Sequence, residues 1–197
     1  MNKYLDLWKT RFGNDYTKRN NPNIEVRTQI FSEILNGVKR LHNVLEVGCN
    51  KGANLEALYD VPQAGDIIGL EPNASAIRAS DELIVQGDSY DIPFIEKYFD
   101  LVLTAGVLIH IPPNKIASAM EEILRVAKKY ILSIEYRSDI EMEIDYRGMT
   151  GGIWARDYKH KWQSFGLTTI AHGSVKSLGF DDGTDFSRTC SYILLSR

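Results

Sequence analysis

From residue 43 onward, short apolar runs alternate with amphipathic stretches, and this alternation constrains the fold more than any other feature of the chain. Runs at 43–47, 66–70, 83–86, 99–104 and 130–135 are the right length for buried strands. Helical spacing is expected over 52–59, 74–80, 113–127 and 154–164. Two further strands are expected at 167–172 and 190–196. Such a pattern implies a parallel sheet with helices on both faces. Residues 173–189 carry no clear helix, and parallel neighbours normally need a crossover helix. The last strand is therefore expected to run antiparallel. Upstream, Val26, Ile30, Ile34, Leu35 and Val38 recur at helical spacing within 25–41. Tyr4, Leu5, Leu7, Trp8 and Phe12 suggest a short helix ending near Gly13, followed by a polar, turn-rich segment to Asn23. At 197 residues one domain is expected, with 1–40 as a helical segment and 41–197 as the α/β body.

The first strand ends in a run with chemical content, Glu46-Val47-Gly48-Cys49-Asn50-Lys51-Gly52. Gly48 permits a sharp turn, Asn50 tolerates left-handed backbone, and Gly52 allows a ligand or helix to approach closely. A strand, a glycine turn and a helix N-terminus together form a nucleotide site at the carboxyl end of a parallel sheet. A tight strand-to-helix turn without a ligand would read the same way. The second strand again ends in an acid, Glu71, followed by Pro72-Asn73 and a helical stretch. An acid about twenty residues past the glycine turn is placed to hold a ribose diol. It could equally complement a helix dipole.

A dinucleotide fingerprint requires G-x-G-x-x-G, which is absent here. The run instead resembles motif I of class I S-adenosylmethionine-dependent methyltransferases, E/D-x-G-x-G-x-G, with Asn50 in place of the middle glycine. The resemblance implies a Rossmann-like α/β fold, a mostly parallel seven-stranded sheet whose last strand is antiparallel. It also implies S-adenosylmethionine as cofactor. Glu46, Gly48, Cys49, Asn50, Gly52, Glu71 and Pro72 would then lie on the cofactor. Asp88 would accept from the adenine amino group beside Ser89, unless Asp88 only forms an Asx-turn. Thr104, Gly106 and Val107 would line the methionine end.

His110 is the natural candidate base, since imidazole titrates near neutrality; a histidine packed under the Pro112-Pro113 turn is the alternative. Aromatic and arginine residues cluster over 135–158, including Tyr146, Arg147 and Arg156. Arginine forks suit carboxylate or phosphate, and this cluster would face the acceptor. An exposed loop followed by an amphipathic helix is the other reading. The opening W-x-x-x-F-G-x-x-Y-x-x-R-N (Trp8 to Asn20), Leu45-Glu46-Val47-Gly48-Cys49-Asn50, Gly106 to Ile111, Tyr146-Arg147-Gly148 and Trp154-Ala155-Arg156-Asp157 resemble the methylases associated with pseudaminic acid biosynthesis. That resemblance implies an acidic sugar or its precursor as acceptor. The stretch from Gly179 to Phe186 departs from the family's usual tail. Tyr16, Arg19 and Asn20 would fold back over the cofactor as a lid.

A net charge of −3 gives no support for a nucleic-acid surface. The cysteines Cys49 and Cys190 make neither a metal set nor a disulfide framework. No stretch reads as a signal peptide or membrane span, so a cytoplasmic enzyme with a small-molecule acceptor and no metal is expected. A nucleotide-dependent oxidoreductase, a non-catalytic S-adenosylmethionine-binding module and an RNA methyltransferase are the rival readings. The oligomeric state is not encoded in these features.

Overall fold

A computed structural model describes residues 3–146 and 149–197, with side chains described outside 146–151. In chain order the elements are α1 (Lys3–Trp8), α2 (Arg11–Arg19), α3 (Ile24–Ile34), β1 (Asn43–Val47), α4 (Ala53–Tyr59), β2 (Asp66–Glu71), α5 (Ala74–Arg78) and β3 (Ile84–Gln86). There follow β4 (Phe99–Ala105), α6 (Ile116–Val126), β5 (Ala127–Glu135), β6 (Met142–Tyr146), β7 (Met149–Ala155), α7 (Tyr158–Gln163), β8 (Thr168–Ser174), α8 (Asp185–Thr189) and β9 (Ser191–Ser196). Single 3-10 turns occur at Leu108–His110 and Val175–Leu178.

Seven strands form one sheet in the order β3-β2-β1-β4-β5-β9-β8. The pairs from β3 through β5 are parallel, and β9 runs antiparallel to both β5 and β8. This is the expected architecture. Strand alternation sends successive side chains to opposite faces. Val44, Leu101, Leu103, Leu132 and Leu194 pack with Ile30, Phe31, Leu55 and Leu58 of α3 and α4. Leu45, Val102 and Ile131 pack on the other face with Met120, Ile123, Ile153 and Trp162.

The boundaries depart from the sequence reading in four places. Gly13 does not end the first helix. It lies inside α2, where a Cβ would sit 2.0 Å from the Trp8 carbonyl oxygen, so glycine here permits close approach. The helix expected over 25–41 stops at Ile34, with Gly37 in the left-handed region (φ +81°) just beyond it. Trp154 belongs to a strand: β6 and β7 form a separate antiparallel hairpin, and the next helix starts only after Asp157, whose side chain accepts from the His160 N–H. The stretch 173–189 contains the turn 175–178 and the short helix α8, neither long enough to show helical periodicity.

Candidate active site

The carboxyl ends of β1, β2 and β4 open into a cavity of about 320 Å³. Its floor is the β1–α4 turn. Gly48 (φ +74°), Asn50 (φ +52°) and Gly52 (φ +88°) all take left-handed backbone there. Gly48 also makes room for a neighbour, because a Cβ at this position would stand 2.5 Å from Val107 Cγ2.

Glu71 organises the turn. Its two carboxylate oxygens accept from the Asn50 and Asn73 N–H groups, each at 2.8 Å. Burial raises its pKa, and those two backbone bonds oppose the rise. Glu46 lies deeper, 1% exposed. Oε1 accepts from Asn54 Nδ2, whereas Oε2 is buried with no hydrogen-bond partner among the described residues. Burial pushes this carboxyl up to about 7, against the pull of Asn54 and the Arg27 charge. Asn50 Oδ1 is likewise buried and unpartnered, although its Nδ2 donates to Thr17 Oγ1 at 2.9 Å. An orphaned buried acceptor is costly, so two of them at one cavity point to a donor-bearing ligand.

The remaining expected cofactor residues divide. Tyr16, Arg19, Cys49, Pro72, Asp88, Ser89, Gly106 and Val107 all border the cavity. Asp88 does so while also forming the Asx-turn: Oδ1 accepts from the Tyr90 N–H at 3.0 Å, and Oδ2 lies 3.8 Å from Lys9 Nζ. The Asx-turn reading is thus observed, and the cavity places the same side chain on its border. Gly52 and Thr104 are not cavity residues. Gly52 serves as the left-handed N-cap of α4, backed by Glu82 and Ser80. Thr104 is fully buried within the sheet, its Oγ1 3.2 Å from Ser133 Oγ.

His110 borders the cavity. Its Nδ1 lies 3.2 Å from the Gly152 carbonyl oxygen. A carbonyl only accepts, so Nδ1 carries the proton and the neutral ring presents Nε2 as an acceptor. Burial lowers the imidazole pKa to about 4, so the ring is neutral around pH 7. Trp8 packs edge-on against it, with ring centroids 4.4 Å apart. Arg156 is not an acceptor-facing residue. It is fully buried, and its donors are taken by the carbonyls of Leu108 (2.9 Å) and Ile111 (2.6 Å), by Tyr158 Oη and by Glu141. Arg147 lies outside the described residues, and only the backbone of Tyr146 is described, paired with Met149.

Two features escaped the sequence reading. Arg27 donates to Asp182, Thr184 and Asn54, forming a buried chain of contacts from the segment before α8 to Glu46. Burial alone would raise the Asp182 pKa, but the Arg27 charge and the Ser187 and Thr184 hydroxyls hold it below the usual carboxylate range. Arg27 falls on the buried stripe of α3 beside Ile30, Phe31 and Ile34, and a charge on an apolar stripe was the available signal. The second is Glu135, an acid ending an apolar strand as Glu71 does.

The N-terminal helices close one side of the cavity, with Tyr4, Trp8, Tyr16 and Arg19 on its border. Hydrogen bonds from Asn50 Nδ2 to Thr17 and from Asn73 Nδ2 to Asn14 (3.0 Å) tie α2 to the turns after β1 and β2. Among the described residues no cluster of metal-ligating groups occurs, and no helix is long and apolar enough to cross a membrane.

Comparison with known proteins agrees with this architecture. Residues 45–130 match the methyltransferase domain family. An uncharacterised methyltransferase of Schizosaccharomyces pombe is 27% identical over 111 residues, 48% of this chain. The chain spans about two-fifths (39%) of that relative's length. Among solved structures, a Burkholderia thailandensis 1,6-didemethyltoxoflavin-N1-methyltransferase with bound 1,6-didemethyltoxoflavin and S-adenosylhomocysteine superposes with a TM-score of 0.70. It is 13% identical, with 99% of this chain and 89% of that one covered. The putative methyltransferase in a complex with the Haloferax volcanii Trm112 activator gives a TM-score of 0.66 at 16% identity, covering 98% and 96%. The strand order, the antiparallel β9 and these likenesses together establish the fold: the chain has the architecture of the class I methyltransferases, with a methyltransferase-domain match at its centre.

Proposed function

We infer that this chain is an S-adenosylmethionine-dependent methyltransferase acting on a small-molecule acceptor. The observation that carries the reading is the buried Oε2 of Glu46, without a hydrogen-bond partner among the described residues, beside a glycine turn whose backbone Glu71 holds. The cofactor supplies a methyl group already activated on a sulfonium. Glu46 and Asn50 have the acceptor capacity for its ammonium, and Glu71 has the position for its ribose hydroxyls. Asp88 and Ser89 border the place for adenine, and Arg19 offers a cation to its carboxylate. The acceptor would lie near His110, whose neutral ring can take a proton at Nε2 from a hydroxyl. The protein's remaining task is to align the acceptor and exclude water. The resemblance to pseudaminic-acid-associated methylases supports an acidic sugar or precursor as the acceptor. The same reading makes the enzyme cytoplasmic.

Calorimetry tests this directly. S-adenosylmethionine and S-adenosylhomocysteine should bind, and NAD should not. At pH 6.5 Glu46 is largely protonated in the free protein, and an ammonium beside it favours the carboxylate. Binding should therefore release protons, seen as a dependence of the observed heat on buffer ionisation enthalpy, and the release should fade above pH 8. NAD binding with no S-adenosylmethionine binding would sink the assignment.

The segment 1–40 acts as a lid in this reading. Removing residues 1–20 takes away one wall of the cavity along with Thr17 and Asn14. Affinity for S-adenosylhomocysteine should fall by at least about tenfold, the equivalent of one or two net hydrogen bonds. The far-ultraviolet spectrum should keep its strand and core-helix content. Unchanged affinity would remove the lid from the account.

A further inference from the structure

The turn Leu108–His110 is gripped at both ends by buried charges from distant parts of the chain. At its start, Glu135 Oε1 accepts from the Val107 N–H (3.3 Å) and the Leu108 N–H (3.2 Å), and Oε2 accepts from the Ile109 N–H (3.3 Å). Arg156 spans the turn, donating to the carbonyl of its first residue, Leu108, and to that of Ile111 just past its end. A third hold is the Gly152 carbonyl on His110 Nδ1. The carboxylate meets backbone amides and the guanidinium meets backbone carbonyls, so every one of these contacts is a charge-assisted hydrogen bond. Glu135 is 1% exposed and Arg156 fully buried. One short turn would not by itself require two buried charges. What distinguishes it is its cargo, since Val107, Ile109, His110 and Ile111 all border the cavity.

We propose that Glu135 is a positioning residue, whose carboxylate sets the backbone of residues 107–109 and thereby fixes the orientation and tautomer of His110 at the acceptor end of the cavity. Arg156 anchors the opposite end. The inference rests on the methyltransferase reading only for its purpose, the alignment of an acceptor with the transferred methyl group.

The groups facing Glu135 make its own protonation a usable probe. Tyr158 and Cys190 are both pushed well up by burial, and His110 is pushed down to about 4, so none of them changes charge between pH 5.5 and 8.5. Arg156 and Glu141, the other charges acting on Tyr158, pair with each other, and that pairing holds Glu141 below the usual carboxylate range. Glu135 itself is raised to about 7 by burial, against the bonds from Leu108, Thr104, Val107 and Ile109.

The test is nitrogen-15 magnetic resonance of the full-length chain, free and with S-adenosylhomocysteine. In the wild type at pH 8, His110 should show the Nδ1–H tautomer alone. In Glu135→Gln the acceptor pair becomes one acceptor and one donor. The His110 signals should then shift toward a tautomer mixture, and hydrogen exchange at Leu108 and Ile109 should accelerate at least tenfold. Amides of Leu70 and Leu132 should keep their protection, which separates a local effect from general loosening. If Glu135→Gln does not fold, the wild type serves: as Glu135 ionises near pH 7, the amide signals of Val107, Leu108 and Ile109 and the ring signals of the uncharged His110 should shift together. A folded Glu135→Gln with unchanged His110 signals, or a wild type in which those signals ignore pH, would overturn the proposal. S-adenosylhomocysteine affinity separates the two readings. Loss of the His110 tautomer with wild-type affinity supports both. The same loss in a protein that never binds S-adenosylhomocysteine supports the positioning role and removes the methyltransferase one.

Discussion

Replacing Glu71 by alanine should weaken S-adenosylhomocysteine binding by at least about a hundredfold. Two effects add. The Asn50 and Asn73 amides lose their shared acceptor, so the glycine turn and the start of α5 are no longer held in one geometry. A ligand's ribose would also lose hydrogen bonds to a charged group, worth roughly 1.5–3 kcal/mol each. A hundredfold corresponds to about 2.7 kcal/mol, which lies below the sum. Glu71→Gln should recover only part of the loss, because its NH₂ group must confront one of the two backbone donors. Titration calorimetry on the folded variants reads this directly. A Glu71→Ala protein that binds within a few-fold of wild type would mean that the ligand does not use this end of β2.

The second large effect is on stability. Asp182→Ala should leave Arg27 as a buried, uncompensated cation and cost about 3–5 kcal/mol. For a domain of this size each kcal/mol lowers the melting temperature by about 2–4 °C, so a fall on the order of 10 °C is expected. The loss should be structural in kind. Replacing both partners together, Arg27→Met with Asp182→Leu, should restore much of the melting temperature, since a buried ion pair often adds little over an apolar pair of similar volume. The double variant should still bind ligand more weakly, because Asn54 loses its Arg27 donor and no longer presents Glu46 in the same way. Equal melting temperatures for wild type and Asp182→Ala would show that the pair contributes nothing.

These two residues illustrate what the sequence made legible. Glu71 could be found because its contacts are local: an acid ends an apolar run, a proline and an asparagine follow, and the glycine turn it holds lies about twenty residues upstream. The sheet was legible for the same reason, since each strand announces itself by a short apolar run and the missing crossover helix betrays the antiparallel last strand. Asp182 lies 155 residues from Arg27, and nothing in either neighbourhood specifies the other. Arg156 shows the opposite error. Its neighbourhood of aromatics suggested a ligand-facing arginine, yet its donors are spent on the Leu108 and Ile111 carbonyls, Tyr158 and Glu141. Gly13 erred in a third way. Glycine is both a helix stop and a close-approach residue, and only the Trp8 carbonyl beside it decides between the two.

The order of the sheet has a consequence for assembly. β8 has a single neighbour in the sheet, β9, which is made after it and enters between β5 and β8. β8 therefore cannot join the sheet until β9 has threaded into place, and one late segment zips two ladders at once. Such pairing is non-local for β5, whose partner is separated from it by the hairpin, α7, β8 and α8, and loop closure over that distance slows folding. The parallel half, from β1 to β5, depends on no such wait. It can form in the order in which it is made, so the turns that line the cavity from β1, β2 and β4 belong to the part of the molecule that matures early and the α8 side to the part that matures last.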